Sequence, residues 1–291
     1  MNSDFLSNLD DVTFDFDSIG LEATPSPQEI PNLEASRKKM VVFLVIDTSG
    51  SMKGERIGAV NNAMPDVIDM LAEAGAQKAN VDIELALMTF DSDARWVTPM
   101  PEPVEEYTYR KITEPAGLTN VGLAFKKLDE VLSRDAFMKS QGGHYAPLLL
   151  LVTDGAPTDP ETYPAALNKL KKNAWFKHSS KVVIAVESDA TNPDALKMML
   201  QFTGTQEGVV FASNAAQLAH MIQFVTMTSV DFNTRQESAN REPEGADSSG
   251  EATSAVVGGE GSFAPELPPE IAEIGGKDID WGDLNLEDFP F

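Results

Sequence analysis

The amino-acid sequence predicts an α/β fold in which helices cover both faces of a doubly wound, mostly parallel β-sheet. Three predominantly apolar runs, at residues 41–46, 147–153 and 181–187, are typical of strands that are buried on both faces. Segments with apolar residues three or four positions apart, as in amphipathic helices, follow these runs. Strands that alternate with helices form parallel sheets through right-handed crossover connections.

Local patterns place each element in order along the chain. The predicted strands are residues 41–47, 81–90, 94–98, 147–153, 181–187 and 208–212. The predicted helices are residues 55–74, 119–135, 160–176, 192–202 and 214–228. Pro65 should kink or split the first helix, because proline removes a helical hydrogen bond. Asp159 before Pro160 should cap the third helix, and the strand at 94–98 follows a tight turn as a short antiparallel edge strand.

The net charge of −24 is concentrated at the two ends of the chain. Residues 1–36 contain eight acidic and no basic residues, and residues 231–291 contain fifteen acidic and three basic residues, which leaves −4 for the central part. The aperiodic composition of both ends predicts an acidic disordered N-terminal arm at 1–36 and an acidic disordered C-terminal tail at 231–291 around a folded domain at 37–230. No basic stripe could neutralise phosphates, which disfavours nucleic-acid binding.

Composition also bears on the cellular compartment. The chain contains no cysteine, which excludes disulfides and thiolate metal sites. The first residues are acidic where a signal peptide requires basic residues followed by an apolar segment. No apolar stretch approaches the roughly 18 residues of a membrane span. We therefore expect a soluble, cytoplasmic protein without a membrane partner.

Oxygen-bearing side chains follow two of the predicted strands and precede one helix. Asp47, Ser49 and Ser51 leave the first strand at alternate positions. Asp154 follows the strand at 147–153, and Thr119 lies in a glycine-containing loop before the second helix. In a doubly wound sheet such strand ends meet where the strand order reverses. Hard oxygen donors suit Mg²⁺, or Mn²⁺ or Ca²⁺, and not Zn²⁺.

Each of these residues has a simpler explanation when it is taken alone. An aspartate or a threonine before a helix most often caps that helix, and serines are common in turns. The combination of five oxygen donors on three separate loops nevertheless favours a metal site.

At these positions the chain resembles the von Willebrand factor A domains. The D-x-S-x-S motif at residues 47–51, the threonine at 119 and the T-D-G motif at 153–155 are similar to the metal-ion-dependent adhesion site of that family. The resemblance covers residues 38–230, about two-thirds of the chain, and residues 42–64 and 148–159 are most similar to the bacterial tellurite-resistance TerY-like branch.

The resemblance implies six strands in the order 3-2-1-4-5-6, with one antiparallel edge strand. It further implies that Ser49, Ser51 and Thr119 bind the ion directly. Asp47 and Asp154 would act through water or hold the hydroxyl groups in place. Magnesium retains some waters in its octahedral shell, so one position would stay open for an outside oxygen.

These expectations predict a non-enzymatic, metal-dependent protein-interaction module in which a partner's Glu or Asp completes the coordination of the cation. Relatives in the TerY-like branch work in bacterial stress-response or conflict systems alongside kinase-like and phosphatase-like proteins, which implies a scaffold or adaptor. One alternative is a structural or assembly protein of a phage or secretion particle. Another is a metal-dependent phosphohydrolase, which is disfavoured because Ser49 stands where haloacid-dehalogenase phosphatases need a second aspartate.

The C-terminal tail ends in a segment in which acids alternate with large apolar residues. Residues 278–291, with Trp281 and Phe289, form a candidate docking motif. The segment could instead only keep the protein soluble. A flexible chain of about 60 residues reaches roughly 40–45 Å, so a tail carboxylate could also cap the chain's own metal site.

Overall fold

The computed structural model describes residues 37–113, 115–186 and 192–239, in which seven strands form one sheet with six helices around it. The strands are β1 (Lys38–Asp47), β2 (Val81–Phe90), β3 (Ala94–Trp96), β4 (Glu102–Pro103), β5 (Leu148–Thr153), β6 (Ser180–Val186) and β7 (Val209–Ala212). The helices are α1 (Glu55–Gln77), α2 (Val121–Val131), α3 (Tyr163–Leu170), α4 (Ala174–His178), α5 (Pro193–Thr203) and α6 (Ala215–Ala239). The predicted arm at 1–36 and the candidate docking motif at 278–291 lie outside these residues.

The strand order confirms the predicted doubly wound sheet. The order is β3-β2-β1-β5-β6-β7, and β1 pairs in parallel with both β2 and β5. Strand β3 is antiparallel to β2, as predicted for the edge. The two-residue strand β4 also pairs antiparallel with β2, which makes seven strands where the sequence predicted six. If β4 is left out of the numbering, the order is the predicted 3-2-1-4-5-6.

Alternate residues of β1 serve two separate cores. Met40, Val42, Leu44 and Ile46 belong to the core on one face of the sheet, which includes buried residues of α1 and α6. Val41, Phe43 and Val45 belong to the core on the other face, with residues of α2, α3 and α5. All of these side chains are buried. A central strand that is buried on both sides explains why the sequence of β1 is a continuous apolar run rather than an alternating one.

Several helices differ from their predicted bounds. Helix α1 continues without a break through Pro65, which is exposed. The predicted helix at 160–176 is two helices, because the Asn173 side chain accepts a hydrogen bond from the N–H of Trp175 and starts α4. Helix α6 was expected to end at residue 228 and extends to Ala239, past the predicted domain boundary at 230.

No helix in the described ranges has both the length and the apolar character that crossing a membrane requires.

The helix that the sequence predicted to be capped by Asp159 begins at Tyr163 instead. Asp159 Oδ2 accepts a hydrogen bond of 3.0 Å from the N–H of Gly122, in the first turn of α2. A carboxylate near the N-terminus of a helix stabilises that helix through its dipole. Asp159 therefore ties the segment after β5 to the start of α2.

Close packing at Gly122 leads to a test of this connection. A Cβ atom at residue 122 would lie 2.5 Å from Asp159 Oδ2 and 2.9 Å from Tyr163 Cα. We expect Gly122→Ala to lower the free energy of unfolding by about 1–3 kcal/mol, because the backbone of α3 has to move. Chemical denaturation measures the change.

Gly58→Ala is the matched control, because a Cβ there has no neighbour within 4 Å and residue 58 lies inside α1. We expect this variant to gain about 0.5–1 kcal/mol from the higher helix propensity of alanine. Equal stability of the two variants would contradict the close approach of α2 and α3.

Candidate functional site

The candidate site begins where the neighbouring parallel strands β1 and β5 end. Ile46 pairs with Val152 in the register of these strands, so Asp47 and Thr153 follow side by side. The Thr153 hydroxyl donates a hydrogen bond of 2.7 Å to Asp47 Oδ2, and the N–H of Ser49 donates one of 2.8 Å to Asp47 Oδ1. Both carboxylate oxygens of this buried aspartate are therefore engaged, and its orientation is fixed.

The environment of Asp47 changes its acidity. Burial raises the pKa of the Asp47 carboxyl to about 6, although the hydrogen bonds from Thr153 and Ser49 act in the opposite direction. The negative charge of Asp154 adds a smaller increase to the same pKa. The ionised form of Asp47 thus carries a cost that a nearby positive charge would offset.

A short chain of oxygen atoms connects the ends of the two strands. Ser49 Oγ and Ser51 Oγ are 3.0 Å apart, and the Ser51 hydroxyl donates a hydrogen bond of 2.8 Å to Asp154 Oδ1. A single 3₁₀ turn at Gly50–Met52 brings Ser51 back over the strand end. Ser49 and Asp154 are buried, whereas Ser51 is exposed. The oxygen chain is therefore open to solvent at Ser51.

The loop that carries Thr119 is fixed against the ends of β1 and β2. Its backbone accepts a hydrogen bond at Gly117 from the N–H of Gly50 (3.1 Å) and donates one from Asn120 to the carbonyl of Asp91 (2.9 Å). Gly117 has a φ of +87°, and a Cβ there would lie 2.6 Å from Ser92 Oγ. These contacts explain why the loop needs glycine at this position.

Thr119 itself is buried on this loop, next to the strand ends. Its carbonyl accepts a hydrogen bond from the N–H of Thr158 (2.9 Å). Within the described residues, no hydrogen bond joins the Thr119 hydroxyl to the four other predicted ligands. Hydrogen bonds therefore link Asp47 to Ser49, and Ser49 through Ser51 to Asp154, while Thr119 lies on the adjoining loop.

The structure adds two residues that sequence reasoning missed. Thr153 is visible in the T-D-G motif, but its hydrogen bond to Asp47 depends on the pairing of β1 with β5. Arg56 donates a hydrogen bond of 3.1 Å to the carbonyl of Ser51 and forms an ion pair with Asp154 Oδ2. Nothing in the sequence marks Arg56, because its position follows from where α1 begins.

Asp91 and Asp93 lie in the turn between β2 and β3. The N–H of Asp93 donates a hydrogen bond of 2.9 Å to Asp91 Oδ1, as in a tight turn. Arg95 pairs with both carboxylates, at 3.7 Å from Asp91 and 3.3 Å from Asp93. Both carboxylates therefore stabilise this turn.

The hydrogen-bonded oxygens lie at separations that are also compatible with the coordination shell of a small cation. In an octahedral shell with Mg–O distances of about 2.0–2.1 Å, neighbouring ligand oxygens lie about 2.9 Å apart. The two separations in the oxygen chain, 3.0 and 2.8 Å, are close to that value. Across the described part of the chain, no cluster of three or more His, Cys, Asp or Glu side chains could hold a metal ion. A cation here would depend on the serine hydroxyls as well as the carboxylates.

Comparisons with known proteins place the chain in a family. The model of the von Willebrand factor type A domain matches residues 41–224. Inter-alpha-trypsin inhibitor heavy chain H4 of Sus scrofa is 28% identical over 190 residues, which are 64% of this chain and 20% of that protein. The same protein of Bos taurus is 27% identical over 69% of this chain and 22% of its own length. The chain thus spans about a fifth of these relatives.

Solved structures show the same fold at low identity. A von Willebrand factor type A protein from Catenulispora acidiphila aligns with a TM-score of 0.50 and 19% identity, over 66% of this chain and 43% of that chain. The pilus adhesin SpaC from Lactobacillus rhamnosus GG aligns with a TM-score of 0.53 and 12% identity, over 69% and 32%. The relatives named here are not tellurite-resistance proteins, so the TerY-like branch stays a prediction. The match over residues 41–224 shows that the chain belongs to the von Willebrand factor type A domain family, whose members generally serve as modules for protein–protein interaction or adhesion.

Proposed function

We propose that this domain binds a divalent cation, Mg²⁺ or else Mn²⁺ or Ca²⁺, and uses it to bind an acidic side chain of a protein partner. The residues that would hold the cation are Asp47, Ser49, Ser51, Thr119 and Asp154. One observation carries the proposal: the oxygen chain from Ser49 through Ser51 to Asp154 bridges two strand ends at separations of 3.0 and 2.8 Å. Hydroxyl and carboxylate oxygens at that spacing are suitable ligands for Mg²⁺.

The residues divide the work according to their surroundings. Both oxygens of Asp47 already accept hydrogen bonds, so Asp47 contributes negative charge and holds the loop after β1 in position. The hydroxyls of Ser49 and Ser51 can rotate their protons away and present lone pairs to a cation. Asp154 adds a second negative charge, and the two carboxylates together balance a divalent charge.

The exposed end of the site sets the chemistry of the partner. Ser51 faces solvent, so an outside ligand would approach at this end. A carboxylate of Asp or Glu is the hard anionic oxygen donor that proteins offer to such a cation. Leu118, with 59% of its surface exposed, lies beside Thr119 and would offer an apolar contact next to the acidic group.

The proposal assigns no catalytic role to the site. A nucleophilic serine needs a neighbouring base. Ser51 donates to Asp154, a carboxylate that is already paired with Arg56. Among the described residues, His144 pairs through its backbone with Lys39 in an isolated β-bridge near the start of β1. It therefore lies at the opposite end of that strand from Asp47 and the serines. We therefore favour a binding module over a phosphohydrolase.

The sequence predictions suggest two cellular settings for this module, and both are part of the proposal. A cytoplasmic scaffold that works with kinase-like or phosphatase-like proteins is the first possibility, and a structural protein of a phage or secretion particle is the second. Affinity purification in Mg²⁺ and in EDTA, followed by mass spectrometry, separates these settings by the partners that are recovered.

The first prediction from the proposed function concerns metal binding. Titration calorimetry should show that the unsubstituted protein binds Mg²⁺ and Mn²⁺, and that Asp47→Ala loses this binding because it removes one of the two balancing charges. A recovered partner should bind in Mg²⁺ and dissociate in EDTA.

Asp93→Ala is the matched control, because Asp93 is an exposed acid at the end of a neighbouring strand and pairs with Arg95. Its metal affinity should equal that of the unsubstituted protein. A protein that binds neither cation, or a partner that is captured equally in EDTA, would contradict the proposed function.

The second prediction concerns pH and the metal-free protein. A carboxyl whose pKa rises from 3.8 to about 6 on folding destabilises the folded state by on the order of 3 kcal/mol once it is ionised. The penalty is absent below about pH 4 and complete above about pH 7. In EDTA, Asp47→Asn should therefore be more stable than the unsubstituted protein at pH 8 and equally stable at pH 4.

The asparagine oxygen can still accept from the N–H of Ser49, and its amide can donate to the Thr153 hydroxyl, so the local geometry is retained. Denaturant unfolding at both pH values measures the difference, with Asp93→Asn as the exposed control. If Asp47→Asn were the less stable protein at pH 8, burial of the charge would not be the dominant effect.

A further inference from the structure

We propose that Arg56 is a resident cation of this site: its guanidinium neutralises and positions Asp154 in the metal-free protein, and a divalent cation binds in competition with it. The inference rests on the proposed function, because it concerns the same carboxylate. It adds a residue that opposes metal binding to the five residues that favour it.

The contacts of Arg56 place its charge inside the oxygen cluster. Arg56 Nη1 is paired with Asp154 Oδ2 and also donates a hydrogen bond of 3.1 Å to the carbonyl of Ser51. The other oxygen of the same carboxylate, Asp154 Oδ1, accepts the hydrogen bond from Ser51 Oγ. Arg56 therefore holds the backbone of one candidate ligand and the carboxylate of another.

Burial makes this ion pair more consequential than a surface pair. The Asp154 side chain is fully buried, and the Arg56 side chain is 18% exposed. A buried carboxylate without a counter-charge is strongly destabilising, whereas exposed pairs contribute little. Arg56 thus supplies a positive charge directly beside the buried carboxylate of Asp154 at the end of β5.

The same pairing has a consequence for the affinity of the site. A cation held by Ser51 Oγ and the Oδ1 side of Asp154 would share one carboxylate with a guanidinium of like charge. Like charges that share one partner repel, and solvent screens the repulsion less for this partly buried pair than for exposed charges. The domain should consequently keep its site assembled without metal and bind the metal more weakly than its donor set would allow.

A purely structural role for Arg56, at the start of α1, makes a different prediction. If Arg56 only supported the fold, its removal would loosen Asp154 and weaken metal binding together with stability. If Arg56 competes with the metal, its removal lowers the stability of the metal-free protein and strengthens metal binding. The opposite signs of the two changes distinguish the roles.

The test measures both quantities for Arg56→Gln and Arg56→Lys in the full chain. Titration calorimetry with Mn²⁺ should give an affinity about tenfold higher for Arg56→Gln, because the competing charge is gone. The thermal midpoint of that variant in EDTA should lie below that of the unsubstituted protein. Arg56→Lys retains the charge and should stay near the unsubstituted protein in metal affinity.

Arg95→Gln is the matched control, since it removes the same charge near the end of β2 from a side chain that pairs with Asp91 and Asp93. Its Mn²⁺ affinity should be unchanged within about twofold, as expected for exposed charges. An affinity of Arg56→Gln equal to or below that of the unsubstituted protein would overturn the inference while leaving the metal site intact. No Mn²⁺ binding by any of the proteins would overturn the proposed function together with the inference.

A measurement without substitution covers the case in which Arg56→Gln does not fold. The NMR resonances of the Arg56 guanidinium N–H groups in the unsubstituted protein should shift on saturation with Mg²⁺, because the ion competes with Arg56 for the carboxylate of Asp154. Those of Arg95 should not shift. Unchanged Arg56 resonances under conditions in which Mg²⁺ raises the thermal midpoint would refute the competition.

Discussion

The parallel pairing of β1 with β5 is the constraint on which the rest of the site depends. In this register Asp47 and Thr153 end neighbouring strands, and their hydrogen bond of 2.7 Å fixes the buried carboxylate. Asp154 comes one residue later and meets Ser51, which the 3₁₀ turn returns to the same point. A shift of one residue between the strands would turn these side chains toward opposite faces of the sheet.

Burial of two carboxylates at the ends of β1 and β5 costs free energy, and the surrounding residues offset this cost. Asp47 and Asp154 are both fully buried, although burial strongly disfavours charge. Hydrogen bonds from Thr153 and Ser49 serve Asp47, and the guanidinium of Arg56 serves Asp154. The two carboxylates are thus stabilised by different means, one by neutral donors and one by an opposite charge. A cation between them would interact with both.

The family relationship and the geometry support different parts of the functional conclusion. The match over residues 41–224 shows a von Willebrand factor type A domain, and the structural similarities at 12–19% identity show the fold. These comparisons do not identify the ligand of this chain. The proposed metal rests on the separations between Ser49, Ser51 and Asp154, and the proposed acidic partner rests on the exposure of Ser51. The relatives extend far beyond the matched region, since the chain spans about a fifth of their length.

The sequence by itself predicted the doubly wound α/β class from its continuous apolar runs, and the D-x-S-x-S and T-D-G motifs predicted the oxygen donors and carried the resemblance that implied the strand order. It could not determine contacts between residues that are distant in the chain. The division of the predicted helix at 160–176 follows from Asn173, which bonds to the carbonyl of Leu132, 41 residues earlier. The pairing of Arg56 with Asp154, 98 residues apart, likewise exists only because α1 starts beside β5. Such contacts depend on how whole elements pack, and only the tertiary structure decides them.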